Sequence, residues 1–294
     1  MKDFKLDFIG IGAPRSGTTW VYNCLKEHPQ IQMSFEKEIS FFNDTGGMFH
    51  NYIDSNYKKG LNWYIKQFPI YNKNKKFGSF TVFYLYDKKA AQRIKKHFPN
   101  TKIIVVLRNP VDRTYSHYWW YKKGYFEIEK SGSFEEAIVN NPEYVERSKY
   151  YKYLKRYYKI FGKDKIHVII FYDIVNRPRK VIRDLYKFLN VDHTYTPLTL
   201  RTKVNTAKKT KYKLITHTIN TIKYLRVIHL GFLIDIFKPT IIYKKVNELL
   251  VNRGTEEYKY ERMKNSTRKM LKKEFLPDIE KLEKLIGRDL GIWE

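Results

Sequence analysis

A single cysteine, Cys24, occurs in the 294 residues, so no disulfide can close within the chain, and no metal-ligand cluster surrounds it to hold a zinc ion. A reducing compartment, hence a cytoplasmic location, is the expectation. The first ten residues, MKDFKLDFIG, lack the charged start, apolar run and small-residue cleavage site of a secretory signal. Long apolar runs are also missing. The most apolar late stretch, Tyr224 to Tyr243, is interrupted by Arg226, His229, Asp235 and Lys238 and falls short of a membrane span. Acidic residues are scarce, 30 Asp and Glu against 57 Lys and Arg, a formal charge of +27. That excess biases the partners toward anions: nucleotides, acidic glycans, nucleic acid or acidic lipid surfaces. From His193 to Ile234 there is no acidic residue at all, while Arg201, Lys203, Lys208, Lys209, Lys211, Lys213, Lys223 and Arg226 supply cations. No repeat, low-complexity tract or linker interrupts the chain.

What is present is enough apolar material, 43% of residues, for a sizeable core, read here as one domain over 1–294. Leu6 to Ile11 reads as a buried strand, followed by a glycine loop and a helix from Thr18 to His28 carried by Trp20, Val21, Cys24 and Leu25. Asp87 is placed to cap a helix running to about His97. Lys102 to Leu107 (KIIVVL) is a second buried strand, Val111 to Tyr121 a helix. Ser133 and Glu136 form a capping box, Val145 to Ile160 is amphipathic, Ile166 to Phe171 is a third strand and Arg179 to Leu189 a further helix. Beyond Thr196 the strand signals fade, and the chain reads as helical, ending in Lys264 to Ile286. Strands alternating with helices predict an α/β fold: a P-loop-like parallel sheet flanked by helices, with a helical C-terminal part and ligands at the carboxyl ends of the strands.

Gly12-Ala13-Pro14-Arg15-Ser16-Gly17-Thr18-Thr19 has the glycine spacing of a phosphate loop, in which backbone N–H groups and a helix N-terminus surround an anion. The lysine that a nucleotide triphosphatase places after the second glycine is absent. Thr18 stands there, and the loop's own cation is Arg15. A plain strand-to-helix turn would not need Arg15, Ser16, Thr18 and Thr19 together, so anion binding is favoured and ATP hydrolysis is not. At the end of the second strand, Arg108 precedes Asn109-Pro110-Val111-Asp112-Arg113-Thr114-Tyr115-Ser116. A cation at the strand end and a hydroxyl about two turns along a helix can converge on one phosphate.

At these residues the chain resembles the sulfotransferases that use 3′-phosphoadenosine 5′-phosphosulfate (PAPS). Glu36-Lys37-Glu38-Ile39-Ser40-Phe41-Phe42-Asn43 and Tyr57-Lys58-Lys59-Gly60-Leu61-Asn62-Trp63-Tyr64 are similar to the sulfotransferase domain of the heparan sulfate N-deacetylase/N-sulfotransferases and to bacterial carbohydrate sulfotransferases. Ile279 to Trp293 resembles the C-terminal end of bacterial members. The resemblance implies a 5′-phosphosulfate loop at Arg15, Ser16, Gly17, Thr18 and Thr19, and a 3′-phosphate site at Arg108 and Ser116. It implies Glu38 as general base, with Glu36 as competitor, and Arg15 as a cation at the leaving group. Arginine there cannot readily donate a proton, because its pKa lies above about 12. His50 and His97 lie in the interval where another branch carries its histidine base, in neither case in the right motif, and His117 reads as structural or surface.

Two features depart from the pattern. Gly78-Ser79-Phe80-Thr81 replaces the Gly-Glu-Lys-Ser/Thr of many relatives, which leaves the acceptor open. The disulfide-bridged basic loop of the animal enzymes cannot form, and Val204-Asn205-Thr206 with Lys208 and Lys211 resembles the disulfide-free segment of bacterial members, placing those lysines over the nucleotide. The implied reaction moves a sulfuryl group from PAPS to an acceptor hydroxyl or amine, most readily of a carbohydrate, and releases adenosine 3′,5′-bisphosphate without a metal. A small alcohol, lipid or tyrosine acceptor, a P-loop kinase and a non-catalytic polyanion-binding protein are the alternatives. No specific nucleic-acid partner and no membrane span are expected, and the oligomeric state is unread.

Overall fold

The computed structural model describes residues 4–44, 56–123, 128–201, 208–210, 255–257 and 260–293. The chain divides into two compact units, one formed by 1–114, 143–204 and 268–294 and the other by 115–142 and 205–267.

The first unit is built on a five-stranded parallel sheet, β1 (Phe8–Gly12), β2 (Ile31–Met33), β3 (Lys76–Phe80), β4 (Lys102–Leu107) and β5 (Ile166–Ile170), in the order β2-β3-β1-β4-β5. Strand β4 shows why the sheet lies where it does. Ile103, Val105 and Leu107 enter the cluster on one face, with Ile9, Ile11, Phe41, Phe42, Tyr64 and Tyr157, while Ile104 and Val106 enter the other, with Val21, Leu25, Leu185 and Tyr186. A strand covered on both sides reads as an unbroken apolar run, which is what KIIVVL is. Its five fully buried side chains each contribute about 1.5–3 kcal/mol of burial.

The helices of this unit are α1 (Thr18–Glu27), the short α2 (Leu61–Ile65), α3 (Ala90–His97), α6 (Glu143–Glu146), α7 (Tyr150–Phe161), α8 (Phe171–Asn176) and α9 (Pro178–Leu189). α4 (Pro110–Lys123) and α10 (Asn265–Ile286) each run from one unit into the other, and α5 (Phe134–Asn140) belongs to the second. Asp87 caps as expected, its Oδ1 accepting from Lys89 N and Ala90 N at 2.8 and 2.9 Å. Ser133 Oγ accepts from Glu136 N at 3.1 Å, and Glu136 reaches back to Gly132 N rather than to Ser133 N. Pro178 opens α9 at a position where its missing N–H costs nothing.

Three expectations are corrected. Strands β2 and β3 carry no strong signal of their own: β2 has three residues, and Gly78 interrupts β3. The glycine is there because Phe8 lies opposite it, and Gly10 lies opposite Phe80. A Cβ on Gly78 would stand 2.1 Å from the Phe8 ring, and one on Gly10 2.2 Å from the Phe80 ring. The helix expected from Val145 to Ile160 is two, α6 and α7, parted at Ser148, whose buried Oγ bonds Arg113 Nη1 at 2.8 Å and Thr114 Oγ1 at 2.6 Å. Beyond Thr196 the expected helical C-terminal part is present as α10, and the correction there is a short added pair, β6 (Lys208–Thr210) running antiparallel to β7 (Thr255–Glu257) in the second unit. The apolar stretch from Tyr224 to Tyr243 lies outside the described residues. No helix among those described is long and apolar enough to cross a membrane.

Candidate active site

The site forms where β1, β2, β3 and β4 end. From β1 the chain enters the loop Ala13–Gly17, held down by Ala13 N donating to Val106 O at 2.8 Å. Arg15 adopts a left-handed conformation, φ 67°, and Gly17 another, φ 90°; for arginine this is a sparsely populated region of the kind that collects at binding loops. Gly17 is then the N-cap of α1, so Thr18 and Thr19 occupy the first turn, where backbone N–H groups lack partners within the helix. A Cβ on Gly17 would meet the Phe171 ring at 2.9 Å. Ser16 is fully buried, and its Oγ lies beside the Tyr150 hydroxyl without a hydrogen bond of ordinary geometry among the described residues. Orphan donors at a helix start, a positive helix end and a buried hydroxyl left unpaired fit an anion.

Arg108 leaves the end of β4 and turns toward this loop. Its Nη1 donates to Arg15 O at 3.3 Å, and its guanidinium lies 4.9 Å from the centroid of the Phe171 ring. Tyr150, whose hydroxyl is pushed up in pKa by burial, donates to Arg108 O at 2.9 Å and fixes the backbone there. Arg113, fully buried, donates from Nε to Pro14 O at 3.4 Å, tying the glycine loop to α4. Ser116 lies on α4 in the second unit, 2% exposed.

The segment after β2 brings the carboxylate. Glu38 Oε2 accepts from Val82 N at 3.0 Å, and Oε1 lies 3.1 Å from Lys37 Nζ. Lys37 Nζ also lies 3.3 Å from each of Thr18 Oγ1 and Thr19 Oγ1, so the acidic segment and the glycine loop meet through this lysine. Behind them the Tyr84 hydroxyl accepts from Phe41 N at 3.0 Å and Phe42 N at 3.4 Å, and burial pushes its pKa up to about 12. Arg93 donates to Phe42 O at 3.0 Å and to Asp44 Oδ1 at 2.7 Å while stacking over Tyr57. Glu36 is exposed, and its backbone O accepts from Ser34 Oγ at 2.7 Å.

Among the expected residues, the structure gathers Arg15, Ser16, Gly17, Thr18, Thr19, Glu38 and Arg108 in the first unit. Lys208 lies in β6, and Lys211 and His50 fall outside the described residues. His97 bonds the Tyr57 hydroxyl at 2.9 Å, and His117 is fully buried against Tyr121. Sequence reading passed over Lys37, Tyr84 and Arg113. Lys37 was visible within the quoted motif beside Glu38, and the missing loop lysine was the signal to look for a cation elsewhere. The Ser79 and Phe80 departure also has a place: Ser79 Oγ bonds the buried Tyr64 hydroxyl at 2.8 Å, and Phe80 packs under Lys37, whose Nζ is 5.8 Å from the ring centroid. Among the described residues no group of three or more His, Cys, Asp or Glu is gathered for a metal ion.

A family model described as a sulfotransferase domain matches residues 5–228. The chain is 25% identical to membrane-associated sulfotransferase kil1 of Dictyostelium discoideum, over 64% of this chain and 56% of that protein. It is 27% identical to human heparan sulfate glucosamine 3-O-sulfotransferase 5, over 62% and 53%. With mouse bifunctional heparan sulfate N-deacetylase/N-sulfotransferase 1 the identity is 27% over 63% of this chain and 22% of that one. The chain thus spans about half the length, or less, of these curated relatives. A crystal structure of a sulfotransferase from Alicyclobacillus acidocaldarius superposes with a TM-score of 0.67 at 24% identity, covering 99% of both chains, and shares the fold.

Proposed function

The chain belongs to the sulfotransferase domain family, and from that premise we propose that it transfers a sulfuryl group from PAPS to a hydroxyl or amine of a carbohydrate. Adenosine 3′,5′-bisphosphate is the product released. The observation that carries this reading is the pairing, at one end of the sheet, of an anion-binding glycine loop with Glu38, a carboxylate held by Val82 N. A binding loop alone needs no base beside it. The heparan sulfate relatives support the choice of a carbohydrate acceptor.

In this reading the loop N–H groups, Ser16, Thr18, Thr19 and Arg15 hold the 5′-phosphosulfate and neutralise the charge that grows on the leaving phosphate. Arg108, with Ser116, holds the 3′-phosphate. Glu38 orients the acceptor and takes its proton as the acceptor atom bonds to sulfur. Lys208 and Lys211 cover the nucleotide, and the whole chain acts as one catalytic domain in a reducing, cytoplasmic setting. No metal takes part.

The test is calorimetric titration of adenosine 3′,5′-bisphosphate, 5′-AMP and ATP without magnesium, on the wild type and Arg108→Ala. A charge-assisted hydrogen bond contributes about 1.5–3 kcal/mol, so the wild type should prefer the 3′-phosphorylated nucleotide by roughly tenfold to hundredfold. Arg108→Ala should lose that preference. Equal weak binding of all three would withdraw the sulfotransferase donor site, and a requirement for magnesium with ATP would favour a kinase. Transfer of labelled sulfate to a chemically desulfated glycosaminoglycan then tests the acceptor class.

A further inference from the structure

Lys37 reaches the phosphate loop, yet the roles assigned so far leave it idle. It comes from a different loop than the loop's own residues. Its ammonium stands 3.3 Å from Thr18 Oγ1, 3.3 Å from Thr19 Oγ1 and 3.1 Å from Glu38 Oε1, over the Phe80 ring. The side chain is 20% exposed, against 40% for Glu38. An ion pair between two sequence neighbours, one of them this exposed, stabilises by no more than about 1 kcal/mol. That small gain does not account for folding a lysine inward across an aromatic ring, into contact with two hydroxyls of another loop.

We infer that Lys37 is a catalytic cation of the sulfuryl-transfer site, supplied from the β2 side to the glycine loop that has no lysine of its own. The inference rests on the function proposed above. Thr18 occupies the residue where a nucleotide triphosphatase carries its loop lysine, and it is Thr18 that the Lys37 ammonium approaches. The lysine absent from the loop in sequence is restored beside it in space. An ammonium carries three N–H donors and no acceptor. With two of them at the hydroxyls of the first turn of α1, it lies within hydrogen-bond reach of an oxygen that those hydroxyls bind.

The transfer forms a bond from the acceptor oxygen or nitrogen to sulfur and breaks the bond from sulfur to the bridging oxygen. That electron pair stays on the 5′-phosphate oxygen, and the acceptor's proton goes to Glu38. Lys37 keeps its proton and donates to the oxygen on which charge accumulates. It thus complements Arg15, whose planar guanidinium cannot crowd as compactly onto one atom as an ammonium point charge does.

The test uses calorimetry on the full chain with three ligands, PAPS, adenosine 3′,5′-bisphosphate and adenosine 3′-monophosphate, which has no 5′ group. Lys37→Met should weaken the two 5′-substituted nucleotides about tenfold to hundredfold, as loss of a charge-assisted hydrogen bond does, and leave adenosine 3′-monophosphate within about twofold. Lys37→Arg should fall between Lys37→Met and the wild type. With an accepted glycan, turnover of Lys37→Met should drop about 10²–10³-fold. Retained affinity for adenosine 3′,5′-bisphosphate in Lys37→Met would overturn the inference, and so would an equal loss for adenosine 3′-monophosphate, which marks a merely structural lysine. A wild type that does not prefer adenosine 3′,5′-bisphosphate over 5′-AMP, titrated alongside, would remove the donor site and the inference together. A wild type that shows this preference, with an indifferent Lys37→Met, would remove only the inference.

Discussion

Replacing Tyr84 by phenylalanine should cost both stability and turnover, through one oxygen atom. The Tyr84 hydroxyl accepts from Phe41 N and Phe42 N, and both residues are fully buried, so water cannot take its place without opening the core. A buried donor left unpaired costs about 1–3 kcal/mol. The second contact, at 3.4 Å, is long and counts for less, which puts the loss at about 2–4 kcal/mol out of the roughly 5–15 kcal/mol typical of a native protein. At this chain length each kcal/mol lowers the melting temperature by about 2–4 °C, so calorimetric melting should fall by roughly 4–16 °C. Glu38 sits three residues before Phe41 on the same segment. Loosening it should displace the carboxylate and lower kcat about tenfold to hundredfold. A melting temperature within about 2 °C of wild type together with unchanged kcat would refute the view that this hydroxyl holds the base in place.

Glu38→Gln keeps an acceptor for Val82 N but removes the proton-accepting charge, so kcat should fall about 10²–10⁴-fold with nucleotide affinity unchanged; single-turnover rates check this, and near-normal rates would move the base elsewhere. His167 is stacked on Phe188, ring centroids 5.0 Å apart, and burial drives its pKa down to about 4. The unfolded chain, with histidine near 6.5, takes up this proton first on acidification. Stability should therefore be full above about pH 6.5 and decline toward pH 4, by at most about 1.4 kcal/mol per pH unit. His167→Phe should flatten that slope in urea melts run across this range, and an unaltered slope would assign it to other groups.

How much of the fold was legible depended on whether an element carried its own signal. KIIVVL announces a doubly covered strand by itself, and Ser133 with Glu136 announces a helix start. Strand β3 does not, because the pattern that makes KFGSF a strand belongs to two strands at once. Gly78 is small because Phe8 faces it, and Phe80 is large because Gly10 faces it. A window sliding along one strand sees a glycine that weakens the strand, and only the register shows it as a fitted space. The break between α6 and α7 is hidden in the same way, since Ser148 is turned inward by Arg113 and Thr114, thirty-five and thirty-four residues away.

The candidate site divides along the same line. Phosphate loops are local: the glycines, the hydroxyls and the helix start lie within eight residues, so spacing alone exposes them. The acid is semi-local, legible as Glu38 only through a resemblance, since Glu36 offers the same chemistry two residues away. What separates them in space is Val82 N, which bonds Glu38 and not Glu36, and Val82 follows a strand that the sequence did not show. Lys37 is the least legible of all, because an alternating Glu-Lys-Glu run has the ordinary look of a solvated turn. Its meaning appears only once parallel pairing of β2, β3 and β1 sets the segment after β2 and the loop after β1 at the same end of one sheet. A glycine loop without its lysine is then a different kind of sequence signal: the search for the missing charge belongs at the carboxyl ends of the neighbouring strands, not farther along the loop.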